Sequence, residues 1–240
     1  ISECLVGSEM CIRDREKTGA LRMTLFYNNR MLAERAFIVC ACATRLSCYM
    51  ENGKYSAEMR KNMTVELISV GTEILLGNIV NTNAAWLSEQ CARLGLSCYY
   101  QSVVGDNAVR LKEQIQQALN RSDIVILTGG LGPTTDDLTK ETAAQLMGKG
   151  LVMDMHSLER VEAYFKTRRI EMTENNKKQA LCPEGAMVLD NDNGTAPGLI
   201  LEENGKRMIL LPGPPNELHP LFEQQVKPYF CLLYTSPSPR

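Results

Sequence analysis

The chain has 240 residues, enough for one large domain or two small ones around a real hydrophobic core. With 44% hydrophobic and 22% charged residues and a net charge of −2, it is neither disordered nor collagen-like, and it lacks the basic surplus of a nucleic-acid-binding protein. Its longest apolar run, Ala36 to Ala43, falls far short of the roughly 20 residues that a membrane-spanning helix needs, so neither nucleic acid nor membrane is expected as a partner.

These totals average over an uneven chain. Residues 63–230 hold 15 basic and 21 acidic side chains, a net charge of −6, and three of the nine cysteines, Cys91, Cys98 and Cys182. Residues 1–62 are net +3, hold five cysteines and no proline, and show no sustained period of 3.6 or 2. Val6–Arg15 and the ending Cys231–Arg240 resemble translated sequencing-adapter sequence. Residues 1–62 are therefore read as a non-native or disordered leader, with read-through from Glu16 to Asn62, and 231–240 as an adapter-derived tail. Arg30 and Arg35 imitate the start of a signal peptide, but the apolar run begins too late. Cys40-x-Cys42 with Cys48 lacks the paired spacing and fourth ligand of a zinc site. The functional unit is placed at 63–230, as one domain.

In that unit Val65–Val70 reads as a short apolar strand ending at Gly71, and an Asn-rich loop leads to a helix carrying Ala84, Leu87, Cys91 and Leu94, closed by Gly95. Ser97–Val104 is a second strand, Gly105-Asp106 a turn, Val109, Leu111, Ile115 and Leu119 a helix stripe, and Asp123–Thr128 a fully apolar strand. Helices follow from Thr139 to Met147, from about Ser157 to Arg169, and from Asn175 to Leu181. Short strands are expected at Ala186–Leu189, Gly198–Leu201 and Arg207–Leu211, with a last helix after Pro214-Pro215. Alternating strands and helices with buried strands predict an α/β fold, a mostly parallel sheet covered by helices.

The sharpest motif is Leu127-Thr-Gly-Gly-Leu-Gly-Pro-Thr-Thr-Asp-Asp-Leu-Thr-Lys-Glu141, between an apolar strand and a helix. Gly129, Gly130 and Gly132 are expected to take positive φ and let the backbone approach a ligand, with Pro133 stiffening the turn. Successive amides beside a helix N-terminus make an anion nest suited to phosphate. Carboxylates beside such a nest repel the ligand unless they hold a metal or handle a proton, which gives at least one of Asp136 and Asp137 a functional role against the competing reading as helix caps. Thr139 is read as the N-cap, with Glu141 in the first turn. Three more loops leave strands: Gly71-Thr72-Glu73 with Gly77, Asn78, Asn81 and Asn83; Gly105-Asp106; and Leu211-Pro-Gly-Pro-Pro-Asn-Glu217. In an open parallel sheet such loops gather on one edge, where ligands bind. Asp106 and Asn83 have a competing reading as helix caps, and Pro214-Pro215 suits a helix start.

Gly129-Gly-Leu-Gly132 through Asp137-Leu-Thr139, with Pro212-Gly213-Pro214 downstream, resembles the molybdopterin-binding domain family of the MogA, MoaB and MoeA type. Five separated motifs are closer to the N-terminal domain of the competence/damage-inducible CinA family. They are Gly71 to Asn83, the Thr-Gly-Gly-Leu-Gly-Pro-Thr-Thr-Asp-Asp run, Met172-Thr-Glu-Asn-Asn176, Gly194-Thr-Ala-Pro-Gly198 and Leu211 to Leu218. The resemblance implies a three-layer α/β/α domain that is cytoplasmic and homo-oligomeric, and metal-dependent cleavage of the ADP-ribose pyrophosphate. It also implies that Asp137 and Asp106 are functional carboxylates, in agreement with the loops. The C-terminal amidase domain usual in full-length CinA proteins lies beyond this chain.

The expectation is thus an enzyme whose catalytic acids are Asp137, Asp136 and Asp106, with a divalent ion of unknown identity on Asp136, Asp137 and Glu73. Ligand contacts are expected from Gly71, Thr72, Glu73, Asn78, Asn81, Asn83, Thr128, Gly129, Gly130, Gly132, Thr134, Asn176, Pro212, Gly213 and Pro214. One rival is a binding or transferase role on a pterin phosphate in molybdenum-cofactor biosynthesis. Another is a non-catalytic oligomerising domain of a truncated nicotinamide mononucleotide amidase. His156 and His219 read as surface or packing residues, and the basic runs Lys166-Thr-Arg-Arg169 and Lys177-Lys178 as solvated faces, with a phosphate contact from Lys177 or Arg169 as the alternative.

Overall fold

A computed structural model describes residues 63–235, with side chains through Leu233. The expectations for residues 1–62 and 236–240 lie outside the described residues.

The strands β1 (Thr64–Val70), β2 (Ser97–Val104) and β3 (Ile124–Thr128) are joined through two helices, α2 (Thr82–Arg93) and α3 (Ala108–Arg121), with a one-turn helix α1 (Thr72–Leu75) ahead of α2. After α4 (Thr139–Leu146) come β4 (Leu151–Met153), α5 (Met155–Arg168), α6 (Glu174–Lys177), a 3₁₀ turn (Lys178–Ala180) and β5 (Leu181–Pro183). The chain closes with β6 (Met187–Leu189), β7 (Gly198–Glu203), β8 (Lys206–Leu211), α7 (Pro215–Leu221), a π-helical turn (Phe222–Val226) and α8 (Lys227–Thr235). Six strands form one sheet in the order β2-β1-β3-β8-β7-β6, and β4 and β5 form a separate antiparallel pair. β2, β1, β3 and β8 are parallel, whereas β7 and β6 run antiparallel to their neighbours.

Strand alternation divides the core between the two faces. Ile68, Val70, Val125, Leu127, Met208 and Leu210 pack with Leu111, Ile115 and Ala118 of α3 and Ala143 of α4. Val65, Leu67, Ile124, Ile126, Ile209 and Leu211 pack on the other face with Leu87 and Cys91 of α2 and with Leu218, Leu221, Phe222 and Phe230. Two apolar layers on one sheet make the expected α/β/α arrangement. On the second face Trp86 stacks on His219 at 4.0 Å between ring centroids, with the edge of Phe222 at 5.4 Å. His156 lies 3.0 Å from Asp190, so both histidines take the packing or surface roles expected of them.

Several boundaries differ from the sequence reading. The helix expected from Ser157 starts at Met155, because Asp154 caps it by accepting from the Ser157 amide at 2.8 Å. The helix expected over Asn175–Leu181 is one α turn and one 3₁₀ turn, and Leu181 opens β5. The β4–β5 pair was not anticipated, since three-residue strands carry no readable period. The last helix continues across Phe230 to Thr235, and Leu233 packs against the second core. No helix among the described residues is long and apolar enough to cross a membrane.

Candidate phosphate-binding site

Because β1, β2, β3 and β8 are parallel neighbours, their carboxyl ends lie on one edge, and the loops that leave them interlock. The Gly71 amide donates to the Val104 carbonyl at 2.9 Å, and the Gly129 amide to the Leu211 carbonyl at 3.0 Å. Asn83 Nδ2 donates to the Gly213 carbonyl at 2.6 Å, which binds the start of α2 to the Pro212–Pro214 loop. A Cβ on Gly213 would stand 3.7 Å from Gly129 Cα, so these two loops touch.

The glycine loop differs from its expected form in an instructive way. Gly129 and Gly130 take positive φ, 93° and 67°, but Gly132 does not. Their missing side chains make room for the protein's own groups: the Val70 carbonyl at Gly129, the Thr139 hydroxyl at Gly130, and at Gly132 the Asp137 carboxylate, 2.5 Å from where a Cβ would stand. Thr139 is correspondingly not the N-cap. Leu138 holds that position without a side-chain bond, while the Thr139 hydroxyl donates to the Gly129 carbonyl at 2.9 Å. The backbone amides of Gly129, Thr134 and Thr139 are engaged inside the protein. Those of Gly130, Leu131 and Gly132 have no acceptor among the described residues. The candidate anion nest therefore narrows to these three consecutive amides, followed by the exposed turn of Thr134, Thr135 and Asp136.

Asp137 is fixed by the residue three positions before it: Oδ2 accepts from the Thr134 amide at 2.9 Å and from its hydroxyl. Oδ1 takes no hydrogen bond among the described residues. Asp106 is held in the same manner by Thr72, whose amide and hydroxyl donate to its Oδ2 at 3.1 and 2.8 Å. The capping reading of Asp106 falls, since Asn107 caps α3 through the Arg110 amide at 3.1 Å. Glu73 folds back over Gly71, its carboxylate 2.6 Å from where a Cβ would stand.

The acids nevertheless do not converge. Among the described residues no group of three or more His, Cys, Asp and Glu stands close enough to hold a metal ion, so Asp136, Asp137 and Glu73 form no common cage. The donor set present, a carboxylate with one oxygen unengaged beside an anion nest, fits an ion of the magnesium type. Such an ion takes one or two carboxylates and completes its shell with phosphate oxygens and water.

Besides Thr72 and Thr134, which donate to Asp106 and Asp137, two further expected ligand contacts are occupied internally. Asn81 caps α2 through the Ala84 amide at 3.3 Å and donates to Ser69 at 2.9 Å. Asn176 accepts from the amide and hydroxyl of Thr173 at 2.9 and 2.7 Å in a capping box. Asn78 and Pro214 are exposed on the edge, and Thr128 and Pro212 are buried at the ends of β3 and β8. Asn83 turns one amide face to Gly213 and leaves Oδ1 buried without a partner. Such an acceptor calls for a donor from outside the chain.

The lysines that organise the loop were missed. Lys178 Nζ donates to the carbonyls of Thr134 and Asp137 at 3.0 and 2.8 Å and stands 3.2 Å from Glu141. Lys140, buried, reaches back to the Lys178 carbonyl at 2.7 Å, and burial pulls its pKa below the ordinary lysine value. Lys140 thus binds the backbone that carries Lys178, and Lys178 binds the turn that precedes Lys140, which locks the turn bearing Asp137. Lys177 pairs with Glu174 at 2.7 Å, and Arg169 is the C-cap of α5 in the left-handed region.

The family model described as "Probable molybdopterin binding domain" matches residues 66–231. A relative from Alkaliphilus oremlandii, named as a competence-damage inducible protein, is 58% identical over 167 residues, 70% of this chain and 40% of its own length. A CinA-like protein of Kosmotoga olearia is 54% identical over 178 residues, 72% of this chain and 43% of its own length. The chain thus spans about two fifths of the length of these relatives. The crystal structure of CinA from Thermoplasma acidophilum, described as of unknown function, superposes with a TM-score of 0.64 at 36% identity, covering 69% of this chain and 97% of that one. The interlocked loops and these likenesses agree: the chain belongs to the molybdopterin-binding domain family, and within it to the CinA proteins.

Proposed function

We propose that this chain is a metal-dependent nucleotide pyrophosphatase that hydrolyses the diphosphate of ADP-ribose. The observation that carries the reading is the row of three unengaged amides, Gly130 to Gly132, beside a carboxylate with one open oxygen. Over residues 63–230 the charge is −6, so an anion must be held locally by backbone N–H groups and neutralised where it sits. The nest receives the phosphate oxygens. Asp137, oriented by Thr134, and the exposed Asp136 would hold a divalent ion, and Asp106, oriented by Thr72, stands one loop away as the candidate base for the attacking water. A divalent ion supplies charge neutralisation on the bridging phosphates and activation of water. Attack at one phosphorus breaks the bridging P–O bond and releases AMP and ribose 5-phosphate. The three thiols of the domain, Cys91, Cys98 and Cys182, form no disulfide, which agrees with a cytoplasmic setting, and a homo-oligomer belongs to the same reading.

The test is turnover of ADP-ribose by the 240-residue chain across a panel of divalent ions, with Asp137→Asn beside it. The variant should lose on the order of 10²-fold or more in kcat/KM while melting within a few degrees of the parent. Undiminished turnover in that variant removes the assignment. The family match favours a second reading, binding of a pterin phosphate on the same nest. Calorimetry with molybdopterin against ADP-ribose separates the two.

A further inference from the structure

A cleft of about 390 Å³ opens between α5 and the loop from Asp190 to Pro197, and none of its lining residues belongs to the glycine loop. One face of α5 supplies Arg160, Tyr164, Thr167 and Arg168, at the spacing that brings helical residues onto one side. Val161 closes the floor, 2% exposed. The opposite wall presents Asn191 and Thr195.

Both walls are built firmly. Arg160 spans them, with Nη2 2.6 Å from Asp192 and Nε 3.6 Å from Asp190. Asn191 donates to the Ala196 carbonyl at 2.9 Å and to Glu217 at 2.6 Å, and Asn193 to the Asn216 carbonyl at 3.0 Å. These bonds seat the loop on the segment that follows β8, the same segment whose Gly213 faces Gly129 with room for no more than a methyl group between them. The cleft and the nest therefore flank one loop on one edge of the sheet.

Arg168 differs from Arg160. Its guanidinium carbon lies 4.2 Å over the Tyr164 ring, and no carboxylate among the described residues pairs with it. A guanidinium held over an aromatic ring offers a planar group for stacking and donors for carbonyl, ring-nitrogen or phosphate acceptors. The volume falls within the roughly 300–1,000 Å³ of small-molecule sites.

We propose that this cleft is the seat of a nucleoside, its base stacked on the Tyr164–Arg168 pair and its ribose facing Thr195. The assignment rests on the pyrophosphatase reading for its place in the reaction: one end of the dinucleotide-like substrate lies here while the diphosphate crosses to Gly130–Gly132.

The experiment is calorimetric titration of the 240-residue chain with AMP and, separately, with ribose 5-phosphate, repeated with Tyr164→Ala and Arg168→Ala. Loss of a stacking partner is worth about 1–3 kcal/mol per base, so AMP should bind about tenfold more weakly to each variant, and KM for ADP-ribose should rise similarly. Ribose 5-phosphate, which has no base, should bind within about twofold of the parent, and both variants should melt with the parent. AMP affinity unchanged in both variants, no AMP binding to the parent, or equal weakening of both probes overturns the assignment. AMP binding lost in the variants of a chain that never hydrolyses ADP-ribose sinks the pyrophosphatase reading and leaves the nucleoside seat standing.

Discussion

The carboxyl edge of the sheet carries two kinds of construction. On the parallel side, around β1, β3 and β8, the site is made of backbone: amides at Gly130 to Gly132, carbonyls joined to the neighbouring loop, and carboxylates gripped by a threonine three positions away or one loop across. On the antiparallel side, next to β6 and β7, the cleft is made of long side chains, Arg160, Tyr164 and Arg168, set on one helix. Backbone construction gives a fixed shape with no tolerance for added atoms. Side-chain construction gives selectivity and adjusts at small expense. On the proposed reading an acidic domain gains from this division, since it needs no basic surface to hold a phosphate and keeps its guanidinium donors for the remainder of the ligand.

The contrast can be broken first at Gly129. An alanine there drives Cβ into the Val70 carbonyl at a φ of 93°, so Gly129→Ala should lose about 3 kcal/mol in urea unfolding, the combined effect of backbone strain and overpacking. Stability within a few tenths of the parent would show that the loop yields, and the claim of rigid backbone would fail. Lys178→Met comes next. Removing the ammonium takes the Lys178 donor from the Thr134 and Asp137 carbonyls, leaving Thr134 only the Asp137 amide at 3.4 Å, which should lower kcat/KM for ADP-ribose roughly tenfold through misplacement of Asp137. A variant with parental kinetics and lowered melting would make Lys178 a purely structural clamp.

The smallest effect lies on the side-chain half. Burial raises the Glu217 carboxyl above its ordinary value of 4.5, a rise opposed by the bond from Asn191. A carboxyl with a raised folded pKa contributes stability that is fully present below 4.5 and is lost as pH rises through the folded value. The melting temperature of Glu217→Gln minus that of the parent should therefore grow as pH climbs from 4.5 toward neutrality. A difference that stays flat with pH removes Glu217 from the account.

Much of the edge was legible because parallelism is a property of strand order. Once Val65–Val70, Asp123–Thr128 and Arg207–Leu211 read as buried strands linked by helices, their loops had to share a side. What the glycines accommodate was not legible. Three glycines beside two acids suggest a ligand, and the space they leave turns out to be filled by Val70, Thr139 and Asp137, none of which announces a contact at a distance in sequence. Thr139 shows the same limit: a threonine opening a helix reads as a cap, yet the bare Gly130 lets its hydroxyl turn to Gly129. Lys178 sits in a basic run whose ordinary reading is a solvated face, and its partners lie 41 and 44 residues away. The cleft rests on contacts between α5 and a loop some 30 residues on, such as Arg160 with Asp192, and no local pattern marks them.

The stacked pair on the far face of the sheet makes the molecule its own instrument. Trp86 is the single tryptophan of the 240 residues. It shares α2 with Asn83, which grips Gly213, and its ring partner His219 rides on α7, the helix that the Pro212–Pro215 segment launches. All indole emission from the chain thus originates at the joint between the start of α2 and the loop that separates the nest from the cleft. A ligand that shifts this loop should change the imidazole's overlap with the indole, so titration of the unlabelled protein followed by tryptophan emission reads its arrival.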